Sequence, residues 1–427
     1  MVPVPAAGDP LLALSNHLSQ IRDADWLNAR SARLYALIAF VLIGILPIVT
    51  RLVTGDGLID RFGVPFGGDY ISFYTASKLA LAGHAADAWR PELHKAAQDT
   101  VFDRQLNGYW AFFYPPAYLL VCLPLALLTY GWSVVVAMAT TTLAAVKLLH
   151  LWMKRMMPDI TGVWLPLMAF PGLWMNIACG QNAALTAAIM TGGCLLLQRA
   201  PVLSGLVFGL LVIKPQLAIA IPFVLAADGR WKTFFAAAFS AAALSLAAFF
   251  VVGQEGYMAF FADSHLARET LDKGLVETSA MQSAFAGLKL IGLPNGVAYA
   301  GHALIALTGL TWSVFIIRRY RPDALSLGAL LVSVTLLLSP FLVNYDLMLL
   351  ALPLAWLIVQ GAHQRFRPWE KMVCVGLYLL PALARGLTDM THIPVGALMV
   401  GAMFMLVQSR ITKTADIEMP AVLKPAI

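Results

Sequence analysis

Long runs of apolar residues, separated by short polar turns, dominate the chain from residue 34 onwards. A run of roughly 20 apolar residues is long enough to cross a membrane as a helix. Shorter runs are typical of broken helices and of helices that meet a water-filled cavity. The pattern predicts an all-α, polytopic integral membrane protein in which each run is one of about twelve transmembrane helices. The runs are 34–53, 132–153, 162–179, 183–198, 201–213, 215–226, 233–253, 296–317, 324–341, 346–360, 371–386 and 392–410.

Lysines and arginines cluster at alternate ends of successive runs. With a cytoplasmic N-terminus, this number of crossings places every basic cluster in the cytoplasm, as the positive-inside rule requires. The chain then divides into a cytoplasmic or interfacial segment 1–33, a single transmembrane domain 34–410 and a cytoplasmic tail 411–427. The clusters are Lys154 and Arg155, Arg199, Arg230 and Lys232, Arg318 with Arg319 and Arg321, Arg365 with Arg367 and Lys371, and Arg410 with Lys413.

The apolar segment from Tyr114 to Tyr130 contains three prolines. Counting it as a crossing would move the next basic cluster, and every later one, to the outer side. We therefore interpret it as a juxtamembrane or re-entrant helix within an outer loop, 54–131. A second outer loop is predicted at 254–295.

Composition agrees with a membrane protein, because 60% of the 427 residues are hydrophobic and only 12% are charged. The mean hydropathy is +0.76. A soluble domain is about one quarter charged, so this composition argues against the soluble, disordered and fibrous classes. The net charge of +6 does not indicate a nucleic-acid partner, because the basic residues are spread over short loops.

Asp69 is the first candidate for chemistry on the predicted outer side. It follows two glycines and precedes a predicted helix on which Tyr70, Phe73, Tyr74 and Leu81 share one face. An aspartate in this position can simply cap the helix. Its outer location and the aromatic face beside it favour a functional carboxylate.

Three further polar motifs fall on the same side, namely Gly180-Gln181-Asn182, Lys214-Pro215 and Asn344-Tyr345-Asp346. Each has a structural alternative: a glycine turn whose amides satisfy helix ends, a kink with a snorkelling lysine, and a second capping aspartate. Because polar groups at membrane depth are costly, their convergence predicts one extracytoplasmic site.

The outer loop 254–295 carries His265, Arg268, Glu269, Asp272 and Lys273. Most of these residues fit a solvated amphipathic helix, and one or two of the cations can hold a phosphate. No cofactor is predicted. A divalent metal near Asp69, Glu269 and His265 stays open, although no ligand spacing supports one.

The sequence contains no P-loop, no dinucleotide fingerprint after a strand and no HExxH. This argues against an ATP-driven transporter. A secondary transporter remains an alternative, although we find no repeated halves. A polysaccharide polymerase or ligase of the same membrane is the other alternative. It would carry several arginines in a late outer loop, where this chain has one.

The order of these motifs resembles that of the GT-C glycosyltransferases, and more closely that of glycosyltransferase family 87. The resemblance covers most of 60–360. One departure is Tyr345, since many relatives carry a histidine in this motif. The matching segments are Asp69 before FYTASKLALAG (73–83), WAFFYPPAYLLVCLPLALL (110–128), Gly180-Gln181-Asn182, GLVFGLLVIKPQ (205–216), and Leu338-Ser339-Pro340 with Asn344-Tyr345-Asp346.

The resemblance implies a GT-C-type helical bundle in the plasma (inner) membrane with an extracytoplasmic active site. The expected activity is inverting transfer of a mannose-like hexose from a polyprenyl-phosphate donor to a lipid or glycan acceptor. The family's first-loop aspartate is expected to be the general base, which is Asp69 here. The candidate donor-binding residues are Lys214, Arg268, Gln181, Asn182, His265, Asn344, Tyr345 and Asp346, and the candidate lipid-chain contacts are Tyr114, Pro115, Pro116 and Tyr118.

Overall fold

The computed structural model describes residues 18–272 and 277–418, and within these ranges every regular element is helical. The predicted all-α fold is therefore confirmed. Part of the N-terminal segment and Lys273 lie outside the described residues. The α-helices are α1 (Ala29–Thr54), α2 (Tyr70–Leu81), α3 (Pro91–Thr100), α4 (Pro116–Cys122), α5 (Tyr130–Met156), α6 (Trp164–Met168), α7 (Pro171–Cys179), α8 (Ala183–Leu196), α9 (Pro201–Gly209), α10 (Ala220–Ala227), α11 (Trp231–Asp272), α12 (Ala284–Leu290), α13 (Asn295–Tyr320), α14 (Ala324–Leu338), α15 (Ala351–Gln364), α16 (Glu370–Thr391) and α17 (Val395–Glu418).

Seven helical segments in the described part of the chain are long and apolar enough to cross a membrane. Seven of the twelve predicted runs correspond to these segments, and the other five correspond to shorter apolar helices. A sixth short apolar segment, Pro116–Leu127, is the one predicted not to cross. The chain is thus a polytopic membrane protein, and the number of twelve crossings is not confirmed.

The helix α5 links the two ends of the bundle. Its first residue, Tyr130, donates a hydrogen bond from its hydroxyl to the Phe66 carbonyl, 2.7 Å away and just before Asp69. At its last residue, the Met156 carbonyl accepts a hydrogen bond from His363 at 3.4 Å. The 27 residues of α5 rise by about 1.5 Å each, or roughly 40 Å in all. The basic residues around Met156 and His363 therefore lie at the end opposite to Asp69.

Glycines allow α9 and α11 to pack with their backbones in close contact. A Cβ atom at Gly205 would lie 2.3 Å from the Thr233 carbonyl oxygen, and one at Gly209 would lie 2.5 Å from that of Ala237. Small residues permit this kind of approach between membrane helices. The packing fixes the end of α9, from which a short 3-10 segment, Leu210–Ile213, leads directly to Lys214.

Candidate functional site

Two glycine turns meet at the end of the bundle that contains Asp69 and bring Asp69 beside Gln181. Gly180 ends α7 in the left-handed conformation (φ 63°), which favours glycine. A Cβ atom there would lie 1.7 Å from the Gly67 carbonyl oxygen, so no side chain fits. The Asp69 backbone N–H also donates to the Cys179 carbonyl at 2.9 Å. Residues far apart in sequence are thus joined through their backbones.

Asp69 does not cap the helix that follows it. Its backbone is helical (φ −62°, ψ −16°), and its side chain makes no capping hydrogen bond to α2. Instead, Gln181 Nε2 donates to Asp69 Oδ2 at 2.6 Å. The structural alternative for Asp69 is therefore wrong.

The amides of Gln181 and Asn182 do not cap the next helix, α8, either. That task falls to Asn176, whose Oδ1 accepts hydrogen bonds from the backbone N–H groups of Ala183 and Ala184. Asn176 could not be predicted from the sequence, because a single asparagine inside an apolar run carries no positional signal. The Gln181 and Asn182 side chains are left for other contacts.

Lys214 and Asp346 form a buried ion pair. Lys214 Nζ lies 2.5 Å from Asp346 Oδ1, and the two residues are 2% and 1% exposed. The ammonium group also donates to Asn182 Oδ1 at 3.3 Å. Asp346 Oδ2 accepts a hydrogen bond from the Val343 N–H at 3.4 Å, so this aspartate also assists a helix start, as the structural alternative proposed.

Two tyrosines enclose the Lys214 ammonium group and connect it to Asp69. Its Nζ atom lies 5.1 Å from the ring centre of Tyr345 and 5.9 Å from that of Tyr114. The Tyr114 hydroxyl donates to Gln181 Oε1 at 2.7 Å. We call the resulting network the polar cluster: Asp69, Tyr114, Gln181, Asn182, Lys214, Tyr345 and Asp346.

Burial changes the titration of Asp69 and Tyr114 in the polar cluster. It raises the pKa of Asp69, while the hydrogen bond from Gln181 and the charge of Lys214 act in the opposite direction. Burial also holds the pKa of Tyr114 well above its usual value. Tyr114 therefore keeps its proton and acts as a hydrogen-bond donor at neutral pH.

Two predicted donor-binding residues, His265 and Arg268, lie on the C-terminal part of α11, beyond the bend at Gly253. Both are exposed, and Arg268 lies 5.8 Å above the ring of Tyr299. The hydrogen bonds described above for the polar cluster involve neither residue. Asn344 is buried beside the cluster, where its Oδ1 accepts from the Tyr345 N–H.

The predicted lipid-contact segment is mostly packed inside the protein. Pro116 and Tyr118 are buried, and the Tyr118 ring lies 5.0 Å from that of Phe73. Tyr114 places its hydroxyl in the polar cluster, a role that the sequence did not predict. Contact of these residues with a lipid chain stays a prediction.

An open pocket of about 400 Å³ lies elsewhere in the predicted outer loop 54–131. Its lining includes Asp56, Arg61, Arg104 and Asn107, and it contains no residue of the polar cluster. No group of three or more His, Cys, Asp or Glu side chains that could hold a metal occurs in 18–272 and 277–418.

Comparison with known proteins identifies one family. The model of glycosyltransferase family 87 matches residues 112–340, which include Tyr114, Gln181, Asn182 and Lys214. The matched range ends before Asp346 and begins after Asp69. No curated protein and no solved structure matches the chain.

Proposed function

Because the chain belongs to glycosyltransferase family 87, we propose that it moves a sugar from a polyprenyl-phosphate donor to an acceptor hydroxyl. The proposed sugar is a mannose-like hexose, and the acceptor is a lipid or a glycan. The reaction is placed on the extracytoplasmic face of the plasma membrane, with both termini in the cytoplasm. The family supports the coarser statement that this is a membrane glycosyltransferase.

The position of the Asp69 carboxylate is the observation that carries the proposal. One oxygen, Oδ2, is held by Gln181, whereas no hydrogen bond from the described residues reaches Oδ1. The residue is half-buried at the outer end of the bundle. A carboxylate with one fixed and one available oxygen is suited to accept a proton from an incoming hydroxyl group.

The proposed step moves one proton and exchanges one bond. The acceptor oxygen attacks the anomeric carbon as its proton passes to Asp69. The bond from this carbon to the phosphate oxygen breaks, and its electron pair leaves with the polyprenyl phosphate. Attack opposite the leaving group inverts the anomeric centre. A positioned base contributes about 10²–10⁴-fold to such a step.

Lys214 is the proposed cation for the departing phosphate. An ammonium group has three donors, and the described hydrogen bonds to Asp346 and Asn182 use two of them. The third donor is the one we assign to the phosphate, where negative charge builds in the transition state. Arg268 and His265 are proposed as further donor contacts at the exposed outer helix.

The choice of donor tests this proposal directly. Membranes that contain the protein are incubated with a labelled polyprenyl-phosphate hexose or with the matching nucleotide sugar, and total lipid serves as the acceptor. We expect label transfer from the polyprenyl-phosphate hexose series, with mannose among the accepted sugars. Transfer from the nucleotide sugar alone would overturn the proposed donor class.

A further inference from the structure

The Gln181 side chain lies between Asp69 and Tyr114 and is only 4% exposed. Its Nε2 donates to Asp69 Oδ2 at 2.6 Å, and its Oε1 accepts from the Tyr114 hydroxyl at 2.7 Å. Both ends of the amide are therefore committed to protein partners. This differs from the sequence-based expectation that Gln181 contacts the donor sugar or phosphate.

Asp69 and Tyr114 together determine the orientation of the Gln181 amide. A glutamine amide has one accepting and one donating end. An ionised carboxylate only accepts hydrogen bonds, so the NH₂ end faces Asp69, and the Tyr114 hydroxyl donates to Oε1 at the other end. The Asn182 backbone N–H favours the same orientation, since it lies 3.4 Å from Oε1.

Tyr114 is itself held in place by its neighbours. Its ring packs 5.1 Å from that of Phe73 and 4.7 Å from that of Tyr118. Its backbone carbonyl accepts a hydrogen bond from Trp89 Nε1 at 3.0 Å. These contacts hold the Tyr114 hydroxyl in one position, from which it binds the Gln181 amide.

We propose that Gln181 is a positioning residue that orients the Asp69 carboxylate, and that the Tyr114 hydroxyl fixes the orientation of Gln181. The amide holds Oδ2, so Oδ1 faces the acceptor hydroxyl. This inference rests on the proposed role of Asp69 as the base. Gln181 then acts on the base, Asp69, and no contact of Gln181 with the sugar donor is needed.

A hydrogen bond to the charged form of a carboxyl group lowers its pKa. In this site the Gln181 amide opposes burial, which raises the pKa of Asp69. Loss of the amide removes this opposition, so Asp69 becomes protonated at a higher pH. The acidic limb of the pH profile of kcat/KM must then move upward, because only the deprotonated carboxylate accepts a proton.

Gln181→Met tests the inference, because methionine has a similar shape without the hydrogen bonds. We expect the acidic limb to move up by about one to two pH units, the equivalent of one hydrogen bond to a charged group. Gln181→Glu should move it further in the same direction, because two carboxyl groups then compete for one proton. Tyr114→Phe should cause a smaller upward shift, because the amide remains but loses its fixed orientation.

Asn176→Ala is the matched control, since the side chain of this nearby buried residue caps α8 and donates to Met138 Sδ, and none of these hydrogen bonds reaches Asp69 or Tyr114. It should lower the amount of folded protein, measured by fluorescence-detected size-exclusion chromatography, without moving the acidic limb. An unchanged limb in folded Gln181→Met and Tyr114→Phe would overturn the positioning role of Gln181. Full activity of Asp69→Asn would instead overturn the proposed base, so the two failures are distinguishable.

Discussion

At the scale of single residues, the buried Lys214–Asp346 pair is the feature of the site with the largest desolvation cost. Both charges are removed from water, and each is compensated by the other and by a small number of hydrogen bonds. Such a pair adds little net stability, but the loss of one partner leaves an uncompensated buried charge. The pair therefore makes folding depend on Lys214, which the proposed chemistry also uses, and on its partner Asp346.

Lys214→Met should destabilise the protein by about 3–5 kcal/mol, because Asp346 is left buried without its cation. The double variant Lys214→Met/Asp346→Leu should recover most of the thermal stability and none of the sugar transfer. Both are measured by thermal unfolding of detergent-solubilised protein and by the transfer assay.

The control for the pair is Lys95→Met. The Lys95–Asp99 pair has the same 2.5 Å separation, but both side chains are partly exposed. Its loss should cost less than about 1 kcal/mol. Equal stability losses in the two single variants would show that burial of Lys214 has no energetic consequence.

Individual site residues could be predicted where a polar group interrupts an apolar run, as Lys214 and Asp346 do. The hydroxyl of Tyr114 could not be assigned, because a tyrosine in an apolar segment fits packing equally well. Its partner Gln181 is 67 positions away, a separation over which local pattern carries no information.

At the scale of elements, the position of Lys214 depends on how closely α9 approaches α11. Gly209 ends α9 and lies against the Ala237 carbonyl. Because the glycines at 205 and 209 allow this close contact, they determine where the following 3-10 segment lies relative to α11. A larger residue must push the helices apart and carry Lys214 away from Asp346.

Gly209→Val should destabilise the protein by about 1–3 kcal/mol, the usual cost of overpacking. It should also reduce sugar transfer more than the loss of folded protein explains. Gly386→Ala in α16 is the control, because an added Cβ atom there meets open space. The prediction fails if Gly209→Val unfolds at the wild-type temperature with wild-type activity.

The predicted helix after Asp69 is confirmed over Tyr70–Leu81. Its proposed common face is only partly correct, since Tyr70, Phe73 and Tyr74 are buried but Leu81 is exposed. The last turn of this helix extends beyond the aromatic neighbours that cover the first two turns. Periodicity predicts the helix and the residues that share one face. It cannot predict how far along the helix other parts of the protein cover that face.

At the scale of the whole molecule, the charges separate into two groups with different tasks. Arg230 donates to the Leu197 carbonyl at 2.9 Å and thereby joins the far ends of α8 and α10, away from Asp69. Another basic residue, Arg410, forms a buried ion pair with Glu370 and fastens α17 to α16. Asp69, Lys214 and Asp346 gather at the opposite end, as the sorting of charges along the sequence predicted.

The most direct test of the account compares Asp69→Asn with Asp56→Asn in membranes that contain equal amounts of folded protein. Asp56 lies in the same predicted outer loop, where its exposed side chain contacts Arg104 at 3.3 Å and takes no part in the polar cluster. The measured quantity is the rate of label transfer from a polyprenyl-phosphate hexose. We predict that Asp69→Asn lowers this rate by at least about 10²-fold, the lower range for a general base, and that Asp56→Asn leaves it unchanged. Wild-type transfer by Asp69→Asn would contradict the account.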